Sequence, residues 1–207
     1  MHERLSKVMD ILILVGHPFK RSFVASLATS YFEGVRTTGT SVEIIFIGDL
    51  NFDLSLHEGY HSIQVLEPGL ERARDAIKQA NHIVFFYPQW WGSAPALLKG
   101  FIDRVFLPGF AFKYHQKGPY WDRLLSGKSG EIWLTSDSPR IWFWFMYRDS
   151  AIRWLKSATL EFSGIKPVKV TTISSVKNLS TKKRSEWIDR ALIKGQAAGD
   201  KIARMKP

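Results

Sequence analysis

Three short stretches carry residue types able to hold a ligand that is both anionic and flat. The first is Gly16-His17-Pro18-Phe19-Lys20-Arg21-Ser22-Phe23-Val24. Gly16 permits a tight turn and close approach of the backbone. A helix beginning near Ser22 presents free N–H groups and the positive end of its dipole, which together bind phosphate. Ser22 adds a hydroxyl, and His17, Lys20 and Arg21 add donors or positive charge. The stretch is neither the G-x-G-x-x-G fingerprint nor a Walker A loop, both of which need more glycine. Taken alone, it reads first as a plain strand-to-helix turn with a capping serine and a surface histidine.

The second stretch is Pro88-Gln89-Trp90-Trp91-Gly92-Ser93-Ala94-Pro95. Two adjacent tryptophans in a turn suit a flat apolar ligand, because their rings are large and rigid. A flavin ring is such a ligand, and its polar edge needs hydrogen bonds that the N–H groups of Trp90, Trp91 and Gly92 could supply. The competing reading is that the tryptophans fill core space, and at least one is expected to be mainly packing. The third stretch is Thr135-Ser136-Asp137-Ser138-Pro139-Arg140. Its small polar residues could close the other side of the ring, with Arg140 as a countercharge. An ordinary Asp-Ser-Pro turn fits it too.

The elements that must position these stretches alternate between strand and helix. Val8 to Gly16 is an almost continuous apolar run, as in a buried parallel strand. Phe23, Leu27, Tyr31 and Val35 then recur at four-residue spacing, predicting a helix capped by Ser22. Ser41 to Gly48 is a second strand, and residues 51–67 form a polar and aromatic loop. Pro68 opens a helix with Leu70, Ala73, Ile77 and Ala80 on its apolar face. His82 to Pro88 is a third strand, and Pro95 starts a helix in which Lys99 and Asp103 pair at i, i+4. Residues 107–128, rich in Gly, Pro and aromatics, read as a long loop. Glu131 to Thr135 lies in a fourth strand, and 136–146 reads as another loop. A helix follows from about Asp149 to Phe162, ended by Gly164. Val168 to Ile173 is a fifth strand, and Ser180 caps a last helix.

Strands alternating with helices predict a single α/β domain spanning 1–207, a doubly wound five-stranded parallel sheet of order 2-1-3-4-5 with helices on both faces. In such sheets a ligand sits beyond the carboxyl ends of the strands, where the strand order reverses. The loops after strands one, three and four are the three stretches above.

Composition narrows the function classes. The chain has no cysteine, so neither a disulfide framework nor a cysteine metal site is available. Its six histidines show no H-E-x-x-H spacing, so no metal site is expected. The N-terminal residues lack the apolar stretch of a signal peptide, and the apolar run Ile141–Tyr147 is too short to span a bilayer. A cytoplasmic location with no transmembrane segment is therefore expected. Lys and Arg number 29 against 19 Asp and Glu, a formal charge of +10, concentrated after Lys166. This basic surplus argues against a one-electron carrier of the acidic flavodoxin kind. A solvated helix face explains it better than a nucleic-acid partner, for which no motif is present.

At these residues the chain resembles the NAD(P)H:quinone oxidoreductase branch of the flavodoxin-like fold. Tyr87 through Phe106, continuing Leu-Pro-Gly-Phe-Ala-Phe112, is similar to that family's most specific motif. His17 to Phe23 looks like its phosphate loop, Phe52-Asp-Leu-Ser-Leu56 like its loop after strand two, and Phe162-Ser-Gly-Ile165 like its signature before strand five. The resemblance implies a bound flavin. His17, Ser22, Phe23 and Val24 would hold its phosphate and ribityl chain. Pro88, Gln89, Trp90, Trp91 and Gly92 would line the ring, and Thr135, Ser136 and Asp137 would complete the ring site. It also implies a homodimer with the site at the subunit interface, and NAD(P)H and a quinone alternating over one flavin face. The chain departs from the family after strand four, where Tyr147 is present but no His precedes Gly164, so no catalytic pair is assigned. It also lacks the extra C-terminal domain of FAD-binding members, which points to FMN with FAD as the alternative. Some members of the family are instead flavin-binding regulatory subunits of ion-efflux systems, a second reading of the same residues.

Overall fold

A computed structural model describes residues 9–205. Its centre is a five-stranded parallel sheet built from β1 (Ile11–Val15), β2 (Val42–Phe46), β3 (His82–Pro88), β6 (Ser129–Thr135) and β7 (Val168–Ile173). The order across the sheet is β2-β1-β3-β6-β7, which is the expected 2-1-3-4-5 once the strands of a separate hairpin are set aside. β1 and β3 are buried along their whole length, which is why their sequences are apolar runs without alternation. Val8, placed at the start of the first strand by its sequence, lies outside the described residues.

Two apolar layers form, one on each sheet face. Leu12, Leu14, Ile83, Phe85, Ile132 and Leu134 point into the layer covered by α2 (Pro68–Gln79) and α3 (Ala96–Val105). Ile13, Val84, Phe86 and Trp133 point into the layer covered by α1 (Phe23–Arg36) and α6 (Thr181–Ala203). The caps follow the sequence. Ser22 Oγ accepts from the Ala25 N–H and Ser180 Oγ from the Lys183 N–H, while Pro68 occupies the first turn of α2. Lys99 Nζ reaches the Asp103 carboxylate at 2.7 Å, as the spacing predicts.

Three segments differ from their sequence reading. Residues 107–128 are not all loop, because β4 (Phe112–Tyr114) and β5 (Trp121–Arg123) pair antiparallel there. Strands of three residues are too short to show a period of two. This hairpin is fixed from outside, by Trp121 stacked on Phe162 at 4.5 Å and donating from Nε1 to the Phe162 carbonyl. Residues 136–146 are not a simple loop either, because α4 (Arg140–Tyr147) forms within them. It is apolar on every side and only Phe143 is buried, so no amphipathic stripe marks it. The helix expected over 149–162 is α-helical only in α5 (Ser150–Leu155) and then widens into a π turn over Lys156–Glu161.

The loop between β2 and α2 is tied down by one side chain. Arg104 of α3 is fully buried. Its guanidinium donates to the Glu67 carboxylate at 2.9 and 3.2 Å and to the carbonyls of Asp53 and Val65. Removing one partner of such a group leaves the others without a donor. Arg104→Ala should therefore cost roughly 3 kcal/mol of stability, read as a lowered urea midpoint with an unchanged slope. An unaltered midpoint would show that the loop is held by other contacts.

Candidate active site

The parallel pairing brings the carboxyl ends of β1, β3 and β6 to one edge. Pro88 stands opposite Thr135 in the register, and the Gln89 N–H continues the ladder by donating to the Thr135 carbonyl at 2.7 Å. One cavity of roughly 170 Å³ opens there. His17, Ser22, Phe23 and Val24 line it from the first stretch, Pro88, Gln89 and Trp90 from the second, and Thr135, Ser136 and Asp137 from the third. Ten of the twelve residues singled out by sequence thus meet in one place. Trp91 and Gly92 do not line it. Val176, in the turn after β7, does, and it was not singled out. The Val176 N–H donates to the Ser136 carbonyl and the Lys177 N–H to Asp137 Oδ1 at 2.9 Å, so the turn after β7 fixes the third stretch.

The phosphate-type end is built on α1. With Ser22 as cap, the N–H groups of Phe23 and Val24 have no partner among the described residues, as expected of a first helical turn. His17 Nδ1 accepts from the Phe19 N–H at 2.9 Å, and its ring stands edge-on to Trp90 at 5.6 Å. That packing partly buries the imidazole. Desolvation lowers its pKa below the usual 6.5. Lys20 is spent on Asp49, at 2.6 Å, outside the cavity.

The tryptophan turn differs from expectation in two respects. Neither ring is buried: Trp90 is 44% exposed and Trp91 is fully exposed. The Trp90 N–H is also not available to a ligand, because Trp90 and Ser93 exchange both backbone hydrogen bonds at 2.9 Å. Trp91 and Gly92 between them both have positive φ, 49° and 74°, as a primed two-residue turn demands. Glycine adopts this freely, but a tryptophan there costs roughly 1–2 kcal/mol. The strain aims the Trp91 ring into solvent and leaves the Trp91 and Gly92 N–H groups without partners among the described residues. The turn is buttressed from below, where Ser150 donates its hydroxyl to the Gly92 carbonyl and the Tyr147 ring packs under Gly92.

One polar atom of the cavity wall stands out. Gln89 Oε1 is buried and has no hydrogen-bond partner among the described residues. Such an acceptor is costly unless a ligand or water meets it. Arg140, by contrast, does not serve the cavity. It forms a two-pronged pair with Asp149 at 2.6 and 3.0 Å, which corrects its reading as a countercharge.

Comparison with known proteins agrees with this fold. The model of the flavodoxin-like fold family matches residues 9–194. The chain belongs to that family. An uncharacterized NAD(P)H oxidoreductase of Haemophilus influenzae is 28% identical over 194 residues, covering 91% of this chain and 95% of the relative. A solved Streptococcus mutans structure is 30% identical, covers 91% of this chain and 100% of its own, and superposes with a TM-score of 0.74. An NAD(P)H:quinone oxidoreductase from Methanothermobacter marburgensis shares the fold at 21% identity and a TM-score of 0.74, over 91% of this chain and 98% of its own.

His17 gives the site a pH signature. Its folded pKa lies below its unfolded value, so the unfolded chain takes up the proton first and stability is lost as pH falls from about 6.5 through the folded pKa. An NMR titration of the free protein should place the His17 midpoint below 6.5 and move it upward when a phosphate ligand is added. A midpoint at or above 6.5 in the free protein would contradict the burial.

Proposed function

We propose that the chain is a flavin-dependent NAD(P)H oxidoreductase that reduces a quinone or similar small aromatic acceptor. The observation that carries this reading is the single cavity shared by the three strand-end stretches, with unpartnered helix N–H groups at one end and the tryptophan turn at the other. When bound, flavin supplies the redox chemistry, accepting hydride from the nicotinamide and yielding two electrons to the acceptor.

The residues present fit that group. The first turn of α1, with Phe23 and Val24 N–H and the Ser22 hydroxyl, is suited to one phosphate, and His17 stands beside it. Gln89 Oε1 waits for a donor, as the polar edge of a flavin ring offers. Trp91 and Gly92 N–H supply donors at the rim, and Thr135, Ser136 and Asp137 bound the opposite wall. The cavity is smaller than the about 300–1,000 Å³ typical of whole-ligand pockets, so it takes the phosphate and ribityl part while the ring extends along the tryptophan turn. One phosphate site of this size favours FMN over FAD. Trp90 and Trp91 offer apolar surface for stacking a flat acceptor.

The reading includes a homodimer. Trp91, Ile141 and Trp142, on the turn after β3 and the helix after β6, are large, apolar and exposed, the composition expected at the centre of a protein interface. Sedimentation of the wild type should give twice the chain mass of 23.7 kDa, and I141D/W142D should give the single mass. A wild-type monomer contradicts this part of the proposal.

The direct test is the absorption spectrum of the purified protein before and after anaerobic NAD(P)H. The proposal expects a flavin spectrum that bleaches on addition and returns when quinone is supplied. A bound flavin inert to NAD(P)H would point to a regulatory flavoprotein, and failure to take up any flavin would overturn the reading.

A further inference from the structure

The turn under Gly92 leads into a groove that the flavin reading leaves unused. Tyr147 and Ser150, which support Gly92, line its near stretch together with Arg153, Trp154 and Ser157. Arg153 and Ser157 also line the next stretch, with Trp144, Phe145 and Arg148. Trp144 lies three residues before Tyr147 on α4, so the two stretches adjoin along one helix.

The charges of this groove are unbalanced. Asp149 is held by Arg140, and Glu161 is faced by Lys156 at 3.9 Å. Arg148 and Arg153 have no carboxylate within ion-pair distance among the described residues. Two unpaired guanidinium groups beside the exposed rings of Trp144 and Phe145 suit a planar base joined to phosphate. Arg148 and Asp149 also hold consecutive left-handed conformations, with φ of 46° and 56°. That backbone turns Arg148 out of the line of α4. In the wall of the near stretch, Trp154 Nε1 is buried with no acceptor among the described residues. A passing sugar or phosphate oxygen would satisfy it.

We propose that this groove binds the adenosine 2′,5′-bisphosphate end of NADPH, with Arg148 and Arg153 on the phosphates and Trp144 and Phe145 against the adenine. The inference rests on the oxidoreductase reading and deepens it, because it selects NADPH over NADH as the electron donor. The 2′-phosphate is the group that distinguishes the two, and a neutral or acidic groove would not favour it. The nicotinamide end then lies toward Tyr147 and the Gly92 turn, beside the ring site.

The test uses ligands that lack nicotinamide, so that it reads the groove without turnover. Calorimetry on the full chain should show adenosine 2′,5′-bisphosphate binding about tenfold or more tightly than adenosine 5′-phosphate, as one charge-assisted pair supplies. R148Q/R153Q should bind the two equally weakly, and R153Q alone should fall between, with flavin content unchanged in both. In steady state the double variant should raise KM for NADPH about tenfold more than KM for NADH while kcat stays within about twofold, the mark of lost ground-state binding. Equal binding of the two nucleotides by the wild type, or a double variant that still discriminates, overturns the proposal. A protein that binds the bisphosphate but carries no flavin would refute the oxidoreductase reading and leave the groove assignment standing.

Discussion

A carboxylate buried against one face of the sheet sets the frame on which the site depends. Glu131 of β6 accepts from the Tyr31 hydroxyl at 3.0 Å and from Trp133 Nε1 at 2.8 Å. Burial, and then the adjacent Glu131 charge, push the Tyr31 phenol well above its usual pKa, so it keeps its proton and donates. The flanking strand residues are apolar on both faces, and hydrophobicity alone distinguishes their registers poorly. A slip of one residue would turn Glu131, with Trp133 beside it, to the face where Ile132 and Leu134 now pack, away from the Tyr31 hydroxyl. A carboxylate buried there without the Tyr31 donor and without a countercharge costs several kcal/mol. The register so favoured sets Thr135 opposite Pro88, and hence the second and third stretches at one height.

From that frame the site is assembled by backbone more than by side chains. The Gln89 N–H extends the β3–β6 ladder by one step, and the β7 turn ties Ser136 and Asp137 in place. Between them the first turn of α1 arrives with the Phe23 and Val24 N–H groups without partners among the described residues. Local conformational cost is then concentrated where ligands are proposed, at Trp91 in the primed turn and at Arg148–Asp149 after α4. Both are braced, the first by Ser150 and Tyr147, the second by the Arg140–Asp149 pair. The rim is preorganised by contacts that lie outside the cavity itself.

The sheet, its order and the three edge stretches were legible because each rests on a local signal. β1 and β3 are unbroken apolar runs, and Ser22, Pro68 and Ser180 mark helix starts. Ten of the twelve residues singled out from the topological rule and the family resemblance line one cavity. What stayed hidden depends on distant partners. α4 is apolar all round and carries no period, so it read as loop. The hairpin of β4 and β5 is held by Phe162, some forty residues on. The loss of the Trp90 N–H to Ser93, the capture of Arg140 by Asp149 and the entry of Val176 into the cavity are outcomes of packing. Val176 had one available clue, since it follows the fifth strand at the same sheet edge.

The central claim is that the cavity between α1 and the β3 and β6 turns is a flavin site. A crystal structure of the protein grown with FMN tests it most directly. The account predicts the phosphate on the N–H groups of Phe23 and Val24, with the ring beside Gln89 and the Trp91–Gly92 turn. Flavin density elsewhere on the molecule, with this cavity filled only by water, would contradict it.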